Sequence, residues 1–160
     1  MARLADLALK HRLFMRSYRF RRHDWAPGAH MDKPLAKSRI AVVTTAALHE
    51  ASQQPFDESL KGGDVSYREL PSSTDLQRLQ IAHRSDAFDV AALEADKNVA
   101  LPLDRLRELA GEGVIGELNH RHFSFMGSIT APGRLTARTA PEVARKLLAD
   151  RRDVLERLAA

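Results

Sequence analysis

At 160 residues, with 44% apolar and 29% charged side chains, the chain has the size and balance of one soluble globular domain. It contains no cysteine, which excludes disulfides, a thiolate nucleophile, a CxxC redox pair and Cys-ligated zinc or iron–sulfur centres among these residues. The formal charge of +4 is uneven, because residues 1–39 carry ten Lys/Arg against three Asp while the remainder carries fifteen against eighteen Asp/Glu.

The longest apolar-rich run, from Arg39 to Leu48, is about half the ~20 residues of a bilayer-spanning helix. The N-terminus lacks an apolar stretch followed by a small-residue cleavage site. A cytoplasmic protein without a membrane span is expected. The first 38 residues read as a basic arm. It opens with a short helix marked by Leu4, Leu7, Leu9, Leu13 and Phe14, and Pro27-Gly28 and Pro34 then interrupt regular structure. Arg12, Arg16, Arg19, Arg21 and Arg22 alternate there with Phe14, Tyr18, Phe20 and Trp25. No nucleic-acid-binding motif accompanies them, so the expected arrangement is an amphipathic arm whose apolar side packs against protein while the arginines stay in water.

Residues 39–160 read as one α/β domain. Arg39-Ile40-Ala41-Val42-Val43-Thr44-Thr45 is β-branched without polar alternation, the pattern of a strand buried on both faces in a parallel sheet. Residues 53–73, with Pro55, Gly62, Gly63 and Pro71, predict a long loop, and Leu79–His83 a short strand ending at His83. Pro102 and Asp104 open a helix that Gly111 and Gly113 close, and Val114–Gly116 predicts a short strand. Thr139-Ala140-Pro141-Glu142 has the spacing of a capping box, after which Val143, Leu147, Val154, Leu155 and Leu158 recur at helical intervals. These elements predict a small open, mostly parallel sheet flanked by helices, a flavodoxin- or Rossmann-like half.

Candidate site residues cluster in four places. Thr44 and Thr45 stand where a strand ends, the place where ligands bind in open α/β sheets; capping of a following helix is the alternative use. In an extended segment Asp64, Ser66 and Arg68 share a face, and an arginine beside a hydroxyl can hold a carboxylate; an exposed ion pair uses the same residues. His83, Asp86, Asp89 and Asp96, with Asn98, offer ligands for a divalent metal or a histidine base oriented by an acid, although their spacing matches no zinc signature. Capping aspartates on a surface loop account for the same pattern. In His120–Gly127, His122 and Ser124 fall on one face of an extended strand and Phe123 and Phe125 on the other.

Taken in order, Ile40–Ala46, Gly63–Pro71, Ala82-His83 with Asp89, Asp96–Val99, Pro102–Leu106, Gly113–Gly116 and His122–Gly127 resemble the N-terminal part of the selenoprotein B subunits of glycine, sarcosine, betaine and D-proline reductases, over roughly residues 14–148. In that family a following strand leads to a selenocysteine or cysteine whose selenolate or thiolate drives reductive C–N cleavage. Here Leu148 is followed by the charged Ala149-Asp150-Arg151-Arg152-Asp153-Val154-Leu155-Glu156-Arg157, so the resemblance does not extend to the redox residue, and independent oxidoreductase activity is not implied.

The resemblance implies a reductase-like subunit or accessory protein that binds a small anionic amino-acid or amine-type ligand and relies on a thiol- or selenol-bearing partner. It places Thr44, Thr45, Ser66, Arg68 and Ser124 at the ligand, with Asp64 and Asn98 orienting them, and leaves His83, Asp89 and His122 as the candidates for catalysis. Two other readings remain open. One is a metal-assisted lyase or hydrolase using His83, Asp86 and Asp89; the other is a non-catalytic homo-oligomerisation module.

Overall fold

The computed structural model describes residues 8–17, 24, 28, 30–85 and 88–159. Residues 1–32 and 33–160 form two separate units. In the first, the expected N-terminal helix is α1 (Leu9–Ser17), with Leu9 and Leu13 one turn apart and exposed. Leu4, Leu7, Tyr18, Arg19, Phe20, Arg21, Arg22 and Trp25 lie outside the described residues, as does Asp86.

The second unit is mixed α/β. Its strands are β1 (Arg39–Ile40), β2 (Val43–Thr44), β3 (Leu48–His49), β4 (Tyr67–Pro71), β5 (Gln80–Ile81), β6 (Glu117–Leu118) and β7 (Arg121–Phe125). Its helices are α2 (Val90–Ala95), α3 (Leu103–Gly111) and α4 (Ala140–Ala159). β1 pairs with β6 and β2 with β7, both parallel, whereas β4 joins β7 and β3 joins β5 antiparallel. The expectation of one mostly parallel sheet is thereby corrected to three small sheets of mixed direction.

Two local features divide the sheet. Two residues lie between Ile40 and Val43 while four lie between their partners Leu118 and Phe123, so the β6–β7 side bulges and the parallel pairing is interrupted. The bulge is stabilised by a side chain, because the Val42 N–H donates to His122 Nδ1 at 3.0 Å. At the other end Ala47 has φ +56°, which swings the chain out of line with β2 and into β3. The expected uniformly buried strand 39–45 is accordingly two short strands, and Val43 is 49% exposed.

The expected loop 53–73 ends in a strand instead. Tyr67-Arg68-Glu69-Leu70-Pro71 alternates between faces, and all five residues pair with β7; Pro71 is tolerated because it closes the strand. The expected strand 114–116 is a turn, with the strand displaced to Glu117–Leu118, because the Gly116 N–H bonds to the Leu35 and Ser38 carbonyls. Thr139 does not cap α4. It lies within a π-helical turn, Leu135–Thr139, and Glu142 accepts the Tyr67 hydroxyl at 2.6 Å.

Each face of β2-β7-β4 has its own core. Phe123, Phe125 and Tyr67 pack on Val143 and Leu147 of α4, with Leu135. Behind the sheet, Leu48, Leu70, Leu76, Leu79, Leu93, Leu101 and Leu103 form the larger core under α2 and α3. No described helix is long and apolar enough to cross a membrane.

Candidate functional site

The carboxyl ends of the parallel strands β2 and β7 lie side by side, because Thr44 is in register with Ser124. Four segments converge there: 45–47 after β2, 126–131 after β7, 82–85 after β5, and the loop 53–63. Ala47, Phe56, Ala82 and Met126, one from each segment, form a small buried cluster that fixes these loops to one another. Backbone bonds from Ala47 N–H to the Phe125 carbonyl and from Ala82 N–H to the Ala47 carbonyl complete the join, and Gly62 carbonyl accepts the N–H groups of Thr130 and Ala131.

Strain is concentrated at this end. Among the described residues, Ala47 (φ +56°) and Ser128 (φ +45°) are the non-glycine residues with positive φ, and both belong to these segments. Such conformations cost roughly 1–3 kcal/mol each and persist where the surroundings hold them, commonly at binding sites. Gly127 (φ +69°) lies between the strand ends so tightly that a Cβ there would come within 2.5 Å of the Thr45 carbonyl oxygen, 3.3 Å of Thr45 Cβ and 3.1 Å of His83 Nε2. Thr45 and His83 therefore flank one point above Gly127.

His83 is oriented from two sides. Its Nδ1 accepts the Ser85 N–H at 3.2 Å, and its ring stacks on Phe88 with centroids 4.0 Å apart. Burial lowers its pKa below the ordinary value, with Glu58 pulling weakly the other way, so the ring is neutral near pH 7, with its proton on Nε2 facing the Thr45–Gly127 point. A neutral Nε2–H is a hydrogen-bond donor for a carboxylate or carbonyl oxygen.

Thr44, Ser124 and Arg68 occupy one rung across β2, β7 and β4. Thr44 and Ser124 are buried while Thr45 is exposed. Arg68 is engaged with the protein: it donates to the Gln54 and Pro55 carbonyls at 2.6 and 3.0 Å and to Ser66 Oγ at 2.9 Å, over the Phe56 ring at 4.2 Å. It clamps the loop to β4. Asp64 accepts the N–H groups of Asp57 and Ser66. Burial pushes its carboxyl upward, but Ser66, the two N–H groups and Arg68 outweigh this and hold it below the ordinary carboxylate range.

The remaining candidates serve local structure. Asp89 accepts the Ala92 N–H and caps α2. Asp96 accepts the Asn98 N–H, and Asn98 bonds in both directions with Asp104 at the start of α3. Among the described residues, no three His, Asp or Glu side chains are placed to hold one metal ion. His122 sits behind the sheet at the bulge, fully buried. The sequence reading missed the parts played by Gly127 and Phe88. A glycine directly after a strand rich in small and aromatic residues was the available signal for the first; the second depends on ring stacking between distant turns.

The family model for glycine/sarcosine/betaine reductase selenoprotein B matches residues 5–155. The chain is 30% identical to the D-proline reductase subunit gamma of Acetoanaerobium sticklandii, covering 77% of this chain and 48% of that one. It is 34% identical to the betaine reductase complex component B subunit beta of Peptoclostridium acidaminophilum, covering 72% and 26%, and 32% identical to the glycine reductase complex component B subunit gamma of Symbiobacterium thermophilum, covering 74% and 28%. The chain thus spans half or less of the length of these relatives. No solved structure matches it. With a match that runs through both strand ends and all four converging segments, the chain belongs to the glycine/sarcosine/betaine reductase selenoprotein B family.

Proposed function

We propose that this chain is the ligand-binding component of a reductase assembly: it holds a small amino-acid or amine-type molecule at the carboxyl ends of β2 and β7, and sulfur or selenium chemistry comes from elsewhere. The observation that carries the reading is the convergence of His83, Thr45 and the strained Ala47, Gly127 and Ser128 backbone at one end of a parallel strand pair. The relatives are named for D-proline, betaine and glycine reductases, which supports a substrate bearing a carboxylate and an amine nitrogen.

In this reading His83 Nε2–H and the Thr45 hydroxyl donate to the substrate carboxylate, and Thr44 and Ser124 sit behind them as buried hydroxyls of the same strand ends. Asp64, Ser66 and Arg68 hold the 53–63 loop that walls the site, and Asn98 anchors the start of α3. Reductive C–N cleavage needs a nucleophile that can leave as an oxidised chalcogen, and neither imidazole nor a hydroxyl can replace it. These 160 residues contain no such group, so the reading assigns the step to a thiol- or selenol-bearing partner.

Isothermal calorimetry with glycine, sarcosine, betaine and D-proline tests it. At least one should bind wild-type protein, with His83→Ala weakening it by roughly tenfold, the value of one lost hydrogen bond to a charged group. Absence of heat with all four, or unchanged affinity in His83→Ala, contradicts the reading.

A further inference from the structure

Two enclosed polar atoms on one face of β7 have no partner in the protein: His122 Nε2 and Ser124 Oγ. Both residues are 0% exposed. His122 Nδ1 already accepts the Val42 N–H, which fixes the ring proton on Nε2 and leaves that N–H as a donor with no acceptor. Burial, with the positive charge of Arg107 and the neighbouring His120, lowers the His122 pKa to about 4, which keeps the ring neutral.

The two residues are two apart on a strand, so their side chains share one face about 7 Å apart at the backbone, and no bond within the protein satisfies either atom. Thr44, in register with Ser124, adds a third buried hydroxyl. Its Oγ1 accepts the Ala46 N–H at 3.3 Å and retains its own proton to donate. A buried donor without an acceptor costs about 1–3 kcal/mol, and protein interiors relieve this with ordered water that makes two to four bonds.

We infer that a single internal water molecule is built into the sheet between His122 and Ser124, accepting from Nε2–H and bonding to the Ser124 and Thr44 hydroxyls. The occupant must accept from Nε2–H, while each hydroxyl can donate or accept, and a neutral ring does not require it to be charged. This water is separate from the ligand at the strand ends and does not depend on it.

A crystal structure of the full chain without added substrate should contain spherical density within hydrogen-bond distance of both Nε2 and Oγ. In solution, the His122 Nε2–H should give a slowly exchanging proton resonance with a cross-peak to water, and Ser124→Ala should abolish that cross-peak. A side chain or carbonyl bonded directly to Nε2 with no density between, or a cross-peak unchanged in Ser124→Ala, would overturn the inference.

Discussion

Gly127 and His122 carry opposite kinds of constraint, and each yields a test. At Gly127 any Cβ meets the Thr45 carbonyl and the backbone is left-handed, so Gly127→Ala should destabilise the protein by roughly 1–3 kcal/mol, read from the urea midpoint. A variant as stable as wild type would mean that the strand ends are not tightly joined. For His122 the folded protein requires the neutral ring, since protonation of Nδ1 would remove the acceptor of the Val42 N–H. The unfolded chain takes up that proton from its ordinary pKa of 6.5 downward, the folded one only near about 4. Stability from this group is therefore complete above pH 6.5 and falls as the pH drops towards 4, by about 3 kcal/mol. NMR titration of the ring should give a midpoint near 4; a midpoint near 6.5 would show that the ring is not locked into the bulge.

At the scale of elements, α4 is held to the sheet by an ion-pair network as well as by its apolar face. Asp150, 2% exposed, accepts from Arg121 at 2.5 and 3.0 Å and from Asn119 at 2.7 Å, and Arg121 and Lys146 both reach Glu69 on β4. Burial raises the Asp150 and Glu69 carboxyls, but their basic partners outweigh it and leave both below the ordinary range. Their contribution is thus present at neutral pH and is lost as the pH falls below their ordinary values of 3.8 and 4.5. Asp150→Ala should cost on the order of 3 kcal/mol, because it strands a part-buried arginine; an unfolding midpoint within error of wild type would contradict this role.

Pattern alone revealed some of these elements. β7 was legible because Arg121–Phe125 alternates aromatic residues with His122 and Ser124, and the helices α3 and α4 announced themselves by spacing. β4 was not, since Gly62, Gly63 and Pro71 outweigh the alternation of Tyr67–Leu70, and its strand character comes from five pairings with a segment some fifty residues away. Arg68 read as an anion holder because its partners, the Gln54 and Pro55 carbonyls, exist only once the loop has folded back.

For the molecule as a whole, the proposed function has a small ligand held at one end of a parallel strand pair by residues that include no cysteine. Addition of thiol reductant alone should then produce no substrate cleavage, measured as unchanged substrate concentration, whereas turnover with reductant alone would reveal a self-contained catalyst. Thr44 and Thr45 were legible as strand-end hydroxyls. The approach of His83 to Thr45 was not, because it needs Ala47 to redirect the chain and Gly127 to admit close approach.

The most direct test of the ligand site is an amide-shift titration of the isotopically labelled chain with glycine, sarcosine, betaine and D-proline in turn. Saturable shifts concentrated at residues 44–47, 82–85 and 126–131 are expected for at least one of them. Saturable shifts confined to other parts of the chain, or none with any of the four, would contradict it.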